Sequence, residues 1–293
     1  MKNRLFTGSG VAIVTPFTND GIDFPKLGKL IDYHIENNTD AIIICGTTGE
    51  ASTMHDPEHM AAIEFAVKHT AGRLPVIAGT GSNYTKHSID LSKYAQSVGA
   101  DGLLQVTPYY NKTTQKGLYE HFKAIADSVD IPIILYNVPS RTGMNIAVDT
   151  LAKLAEIDNI TSIKEASGNI SYVTEIAAKV PELDIYSGND DMVVPVMSVG
   201  GIGVISVAAN IIPKQMHDMC ALYMQGDVKA ALKLQLDALE LINKLFIEVN
   251  PIPIKTAMNL LGCNVGALRQ PLCDMTDANL EALKKALKGY GLM

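Results

Sequence analysis

The stretch Asn159-Ile-Thr-Ser-Ile-Lys164-Glu-Ala-Ser-Gly168 raises the question on which the fold turns. β-Branched Ile160, Thr161 and Ile163 lead in and Gly168 ends the run, so it reads as a short strand. Lysine is depleted in strands and almost never fully buried without a partner. Lys164 is therefore either snorkelling at the strand's end or placed there for chemistry.

Similar apolar, β-rich runs recur along the chain. They are Val11 to Thr15, Ala41 to Cys45, Val76 to Ala78, Gly102 to Thr107, Ile133 to Tyr136, Ile160 to Lys164, Leu183 to Tyr186 and Gly203 to Val207. Between them lie segments of helical periodicity, such as Leu27, Leu30, Ile31 and His34, or Leu118, Phe122, Ile125 and Val129. Another, with Met60, Ile63, Val67 and Thr70 on one face, opens on the start signal Asp56-Pro57-Glu58. Alternating βα units with apolar strands imply a parallel sheet with helices outside it, and eight of them match a (β/α)8 TIM barrel. A doubly wound open sheet is the structural rival. It usually has fewer strands and often opens with a glycine fingerprint, whereas the first strand here ends Val-Thr-Pro-Phe. After the eighth strand too much chain remains for one closing helix. Asp227 to Glu248, Ile252 to Leu261 and Asp277 to Lys288 read as three more helices, giving a barrel over 1–225 and a C-terminal helical domain over 226–293.

The 293 residues are 47% hydrophobic and 19% charged, a globular composition long enough for a large core. The net charge of −7, without a basic run, argues against nucleic acid as a partner. The amino terminus, Met-Lys-Asn-Arg-Leu-Phe-Thr-Gly, does not read as a signal peptide, and no apolar stretch has membrane-spanning length. Cys45, Cys220, Cys263 and Cys273 form no C-x-x-C pair and read as free thiols in a reducing cytosol, so a cytoplasmic protein is expected.

In such a barrel the active site sits at the carboxyl ends of the strands. Those ends supply Thr15, the turn Gly46-Thr47-Thr48-Gly49-Glu50, Gly79-Thr-Gly81, Thr107-Pro-Tyr109-Tyr110, Tyr136-Asn-Val-Pro139 with Arg141 beyond, Lys164-Glu165, Ser187-Gly188-Asn-Asp190 and Ser206. The ring lacks the carboxylate and histidine cluster of a metal site and the Walker phosphate loop. His55 and His59 share a helix face, but with no third ligand pattern they read as part of a helix start capped by Asp56, with the histidines solvated. A lysine in a confined apolar mouth is a candidate Schiff-base former, because burial disfavours the ammonium and leaves a nucleophilic amine. Tyr136 ends the neighbouring strand and could shuttle protons, although core packing is the commoner role of a tyrosine. Arg141 suits either a surface ion pair or bidentate capture of a carboxylate. Thr47 and Thr48 could relay protons or bind a carboxylate.

Taken together, Gly46-Thr-Thr-Gly-Glu50, Thr107-Pro-Tyr-Tyr-Asn111, Tyr136-Asn-Val-Pro139 with Arg141-Thr-Gly143, and Lys164-Glu-Ala-Ser-Gly168 resemble the pyruvate-dependent class I lyases. This is the N-acetylneuraminate lyase and dihydrodipicolinate synthase superfamily, and the resemblance covers essentially the whole chain. The paired threonines and Arg141 are similar to the dihydrodipicolinate synthase branch in particular. The resemblance implies that Lys164 forms an imine with pyruvate and that no cofactor is needed. It implies that Tyr136 donates and accepts protons in a relay through Thr47 to Tyr110, which would reach into a neighbouring subunit's site. It implies that Thr48 holds the pyruvate carboxylate, that Arg141 draws in the carboxylate of aspartate β-semialdehyde, that Ile205 lies over pyruvate through its backbone and that Gly188 lines the pocket. The implied product is 4-hydroxy-tetrahydrodipicolinate, first committed step toward diaminopimelate and lysine, and the implied assembly a homotetramer built as a dimer of dimers.

Members regulated by lysine bind it with a serine, histidines, an asparagine, a glutamate and a tyrosine. The matching positions here read Ala51, Asp56, His59, Asn83, His87 and Tyr109, so weak or absent inhibition is expected. Three rival readings remain: a pyruvate-dependent sugar-acid lyase of the same superfamily, a barrel that only binds, and a metal-dependent aldolase.

Overall fold

The computed structural model describes residues 4–293, so the first three residues of the amino-terminal stretch read above lie outside it. Eight parallel strands close into a barrel. They are β1 (Gly8–Ala12), β2 (Ala41–Ile44), β3 (Val76–Gly79), β4 (Gly102–Val106), β5 (Ile133–Asn137), β6 (Ile160–Glu165), β7 (Asp184–Ser187) and β8 (Gly203–Ser206). Each pairs with the next in sequence, and β8 returns to β1 with Gly8 opposite Gly203 and Ile205 opposite Gly10. The eight expected runs are the eight barrel strands, so the closed barrel replaces the open-sheet rival.

Side chains alternate across the strands as the pleat demands. Ala41, Ile43, Ile134, Tyr136, Tyr186 and Ile205 fill the interior with Phe6, whose ring stacks on Tyr186 at 4.4 Å. Ile42, Ile44, Ile133, Leu135 and Ile163 face the helices in a second, larger core. Local signals start the helices. Asp23 accepts from the Lys26 N–H, Thr114 from Gly117, Asn169 from Tyr172 and Asp227 from Ala230.

Three details differ from the expectations. The first strand begins and ends earlier than Val11–Thr15, because the Gly-Ser-Gly segment before it fits the seam against β8 while Val14 and Thr15 have turned away to bond Asn210 and Gly49. A two-residue hairpin, Phe17–Thr18 with Gly21–Ile22, follows β1. The helix Asp56–Thr70 is capped by the His55 ring, which accepts from the Glu58 N–H, not by Asp56. Asp56 instead pairs with His87 at 2.8 Å, and His59 is buried and donates to the Gly79 carbonyl at 2.8 Å. No helix among the described residues is long and apolar enough to cross a membrane.

The last third of the chain adds helices Val228–Leu245, Ile252–Leu260 and Asp277–Tyr290. Ala231, Ala238, Leu241, Ile254, Ala257, Leu283 and Leu287 join the outer core of the barrel. The strongest tie is polar. Lys255, 1% exposed at its side chain, donates to Glu50 at 2.7 Å, and Glu50 also accepts from the Arg269 N–H at 3.0 Å. Burial lowers the Lys255 ammonium's pKa below its ordinary value, with Glu50 opposing the shift. Beside it Arg269 grips Glu58 with both Nη atoms, at 2.5 and 2.6 Å, and lies 3.8 Å from the Phe17 ring centre.

Removing one partner of a buried pair leaves an uncompensated charge. Lys255→Ala is expected to cost about 3–5 kcal/mol in urea unfolding, while Lys255→Met combined with Glu50→Leu should cost much less. Equal losses in the two variants would show that packing, not the stranded carboxylate, sets the cost.

Candidate active site

The carboxyl end of the barrel carries a cavity of about 160 Å³, lined by Thr47, Thr48, Tyr136, Arg141, Lys164, Gly188 and Asn250 among others. That is the space of roughly five waters, suited to a small organic acid.

Lys164 stands at its centre for a reason of register. Tyr136 of β5 is paired with Lys164 of β6, which is paired with Tyr186 of β7, so the three side chains project on the same side, into the barrel. The Lys164 Nζ lies 4.4 Å from the Tyr136 ring centre and the residue is 6% exposed. Glu165, one residue on, faces the other way and is satisfied by Asn137 at 2.9 Å and by the Ser167 N–H and hydroxyl. Gly188 makes room for the lysine. A Cβ there would lie 2.6 Å from Ala166 Cβ and 3.1 Å from Lys164 Cε.

Burial lowers the Lys164 amine to about 8. Asp190 works against this shift, and Arg141 works with it. Asp190 is itself buried, its Oδ2 held by the N–H groups of Val207 and Ala208 at 3.0 and 2.8 Å. Burial also raises the Tyr136 phenol, with Arg141 and a hydrogen bond from Thr47 pulling the other way. At pH 7 the amine is therefore still mostly protonated, but about a tenth of it is neutral, far more than for an ordinary lysine, and the phenol keeps its proton.

The other expected residues fall as follows. Thr47 and Thr48 sit on the turn after β2, which is stiffened by the bonds Gly49 N–H to Gly46 O and Glu50 N–H to Thr47 O. Glu50 has a left-handed backbone, φ 56°, and the Lys255 contact described above holds its side chain. Arg141 belongs to the short helix Pro139–Thr142, exposed at the rim, and donates to the Asn250 carbonyl at 3.0 Å. Ile205 is fully buried in the interior cluster that also contains the wall residues Ala12, Ile43, Leu104 and Tyr136, but it does not itself line the cavity. Tyr110 is not brought to this chain's cavity. It is 93% exposed on a left-handed backbone, φ 67°. A second cavity of about 550 Å³ adjoins the first, sharing Thr47, Tyr136 and Arg141 and reaching Ala51, Asp56, His59, His87 and Tyr109. No group of three or more His, Cys, Asp or Glu side chains is gathered for a metal among the described residues.

Sequence reasoning missed Asn250 and Phe246. Both line the mouth from the segment after the helix Val228–Leu245, far from the strands in sequence. An asparagine before the Pro-Ile-Pro start of the next helix is the one local sign of a special turn.

The Lys164 amine is expected to react with a small aldehyde, trapped by borohydride, at a rate that rises with pH and levels above about 8. The sign follows from the neutral amine being the nucleophile. Surface lysines should continue to gain until near pH 10.4. Peptide mass mapping across pH checks it, and a Lys164 profile like theirs would refute the burial effect.

The Dihydrodipicolinate synthetase family matches residues 5–290. A Clostridium tetani protein named 4-hydroxy-tetrahydrodipicolinate synthase is 60% identical over 291 residues, 99% of each chain. Among solved structures, dihydrodipicolinate synthase from Aquifex aeolicus superposes with a TM-score of 0.96 at 47% identity, covering 98% of this chain and 99% of that one. A structure described as the first monomeric dihydrodipicolinate synthase variant has a TM-score of 0.96 at 40% identity, covering 99% and 98%. With its barrel, its lysine-centred mouth and a match that runs nearly end to end, the chain belongs to the dihydrodipicolinate synthetase family.

Proposed function

We propose that this protein condenses pyruvate with aspartate β-semialdehyde to give 4-hydroxy-tetrahydrodipicolinate, the reaction its relatives are named for, on the path to diaminopimelate and lysine. The observation that carries the reading is the buried amine of Lys164, facing the Tyr136 ring in a small cavity that also holds Thr48 and Arg141. The amine adds to the ketone of pyruvate, and water leaves to form the imine. Loss of a methyl proton gives the enamine, whose carbon attacks the aldehyde. The product's amine then closes on the imine carbon and releases the lysine. No cofactor is required, because the protonated imine is the electron sink.

In this reading Tyr136 passes protons during imine formation, with Thr47 as its hydrogen-bond partner. Thr48 and the turn hold the pyruvate carboxylate, Gly188 lines the pocket, Ile205 packs behind its wall, and Arg141 at the rim takes the semialdehyde carboxylate. Tyr110, outside its own cavity, serves the site of a second copy, so a dimer is the smallest complete unit and a dimer of dimers the proposed assembly. A cytoplasmic location goes with a reducing compartment for its free cysteines.

Borohydride reduction with pyruvate should add one pyruvate-derived mass to the wild type and none to Lys164→Ala. Pyruvate should be consumed with aspartate β-semialdehyde and not with N-acetylmannosamine or a short sugar aldehyde. Turnover with a sugar aldehyde alone would move the protein to the sugar-acid branch while keeping Lys164.

Inhibition by lysine should be weak or absent. Ala51 replaces a hydroxyl, and His87 is engaged with Asp56 at 2.8 Å and Ser82 at 3.1 Å, offering no carboxylate to an effector's ammonium. Half-maximal inhibition at submillimolar lysine would refute this.

A further inference from the structure

Asn250 touches both side chains that the proposed function assigns to substrate carboxylates. Its Nδ2 donates to Thr48 Oγ1 at 3.0 Å, and its backbone carbonyl accepts from Arg141 Nη2 at 3.0 Å. Thr48 comes from the turn after β2 and Arg141 from the short helix after β5, so one residue joins two separate parts of the rim. Asn250 is 6% exposed and Thr48 2%.

The direction of the first bond matters. A threonine hydroxyl has one hydrogen to give and two lone pairs to receive, whereas the Nδ2 group only donates. Asn250 therefore occupies a lone pair of Thr48 and leaves its hydrogen free. Among the described residues the Thr48 hydroxyl has no other protein partner. Its hydrogen is thus available to an acceptor in the cavity that Thr48 lines. Without the amide, that hydroxyl could rotate toward either the cavity or its surroundings.

The other end of the amide makes no bond within the protein. Asn250 Oδ1 is buried with no hydrogen-bond partner. An unsatisfied buried acceptor costs free energy that an apolar side chain of similar shape would not. Within the protein, the side chain's hydrogen bond goes to Thr48.

We propose that Asn250 is a positioning residue for the pyruvate carboxylate, turning the Thr48 hydroxyl hydrogen toward the substrate while its backbone carbonyl steadies Arg141. This rests on the cavity being the pyruvate site. Asn250→Ala should raise the pyruvate KM about tenfold, the effect of one hydrogen bond to a charged group, with kcat little changed. Asn250→Asp, close in size, should raise it further, because a carboxylate accepts the Thr48 hydrogen and repels the substrate. In a Thr48→Val background Asn250→Ala should add nothing, since the partner is already gone.

The discriminating readout is borohydride trapping on Lys164 with pyruvate and with acetaldehyde, which lacks the carboxylate. Asn250→Ala should weaken trapping of pyruvate alone, and if that variant fails to fold, Asn250→Asp reads the same difference. An unchanged pyruvate KM, equal loss of both trapping reactions, or additivity with Thr48→Val would each overturn the role of Asn250. Failure of the wild type to trap pyruvate at Lys164 would instead overturn the reading of the cavity, and the inference with it.

Discussion

At Gly203 a Cβ would lie 2.0 Å from the Gly8 carbonyl oxygen. The first and last strands approach this closely because Gly203 lacks a side chain; at Gly8 a Cβ would instead meet the Asp40 carboxylate, and Gly8 adopts a φ of 108° that other residues rarely take. Everything at the mouth depends on that seam. A parallel sheet left open there would expose unpaired backbone groups on two edges. Closed, it satisfies them and curves the strands around an interior filled by Phe6, Ile43, Ile134, Tyr186 and Ile205. Closure also brings the carboxyl ends of strands distant in sequence around one small space, so that residues 47, 136, 164 and 188 line the same cavity.

The packed interior sets the chemistry of the lysine. Water is replaced around Nζ by the Tyr136 ring and the barrel wall, and the charged form loses most. Two buried or nearby charges then act in opposite senses: Asp190 favours the ammonium and Arg141 the free amine. An amine left near 8 is a compromise. Part of it is neutral near pH 7, as the attack on a ketone in the proposed reaction requires, while an ordinary lysine would be almost wholly charged. Both charges also serve elsewhere, since Asp190 is bonded to the N–H groups of Val207 and Ala208 and Arg141 stands at the rim.

What could be read from the chain and what could not divide by sequence distance. The apolar runs of β2, β5 and β6 and the ring of polar residues at strand ends are local patterns, and from them Lys164 is expected beside Tyr136, as the paired strands have it. The start of β1 falls outside the apolar run Val11–Val14 because its fit depends on β8, where Gly8 pairs with Gly203 far along the chain. His55 displaced Asp56 as the helix cap, because Asp56 had a better partner in His87, on the next helix. Asn250 and Lys255 were read only as part of a helical tail, since no periodicity marks a side chain whose partner lies 202 or 205 residues upstream.

Those two residues alter how the C-terminal helices should be regarded. The turn Gly46–Glu50 is held by short backbone bonds and by the Thr15 hydroxyl on Gly49, and Glu50 occupies a left-handed conformation that costs free energy for a residue with a side chain. Lys255 and the Arg269 N–H hold Glu50 at one end of the turn, and Asn250 holds Thr48 near the middle. A buried ion pair is a poor way to add stability, because desolvation offsets much of its attraction. It is a good way to define a single geometry, since a carboxylate with no water around it tolerates few arrangements of its donors. The C-terminal segment is thus part of the cavity's wall: it holds the turn that carries Thr48, while the barrel holds the buried amine of Lys164 beside it.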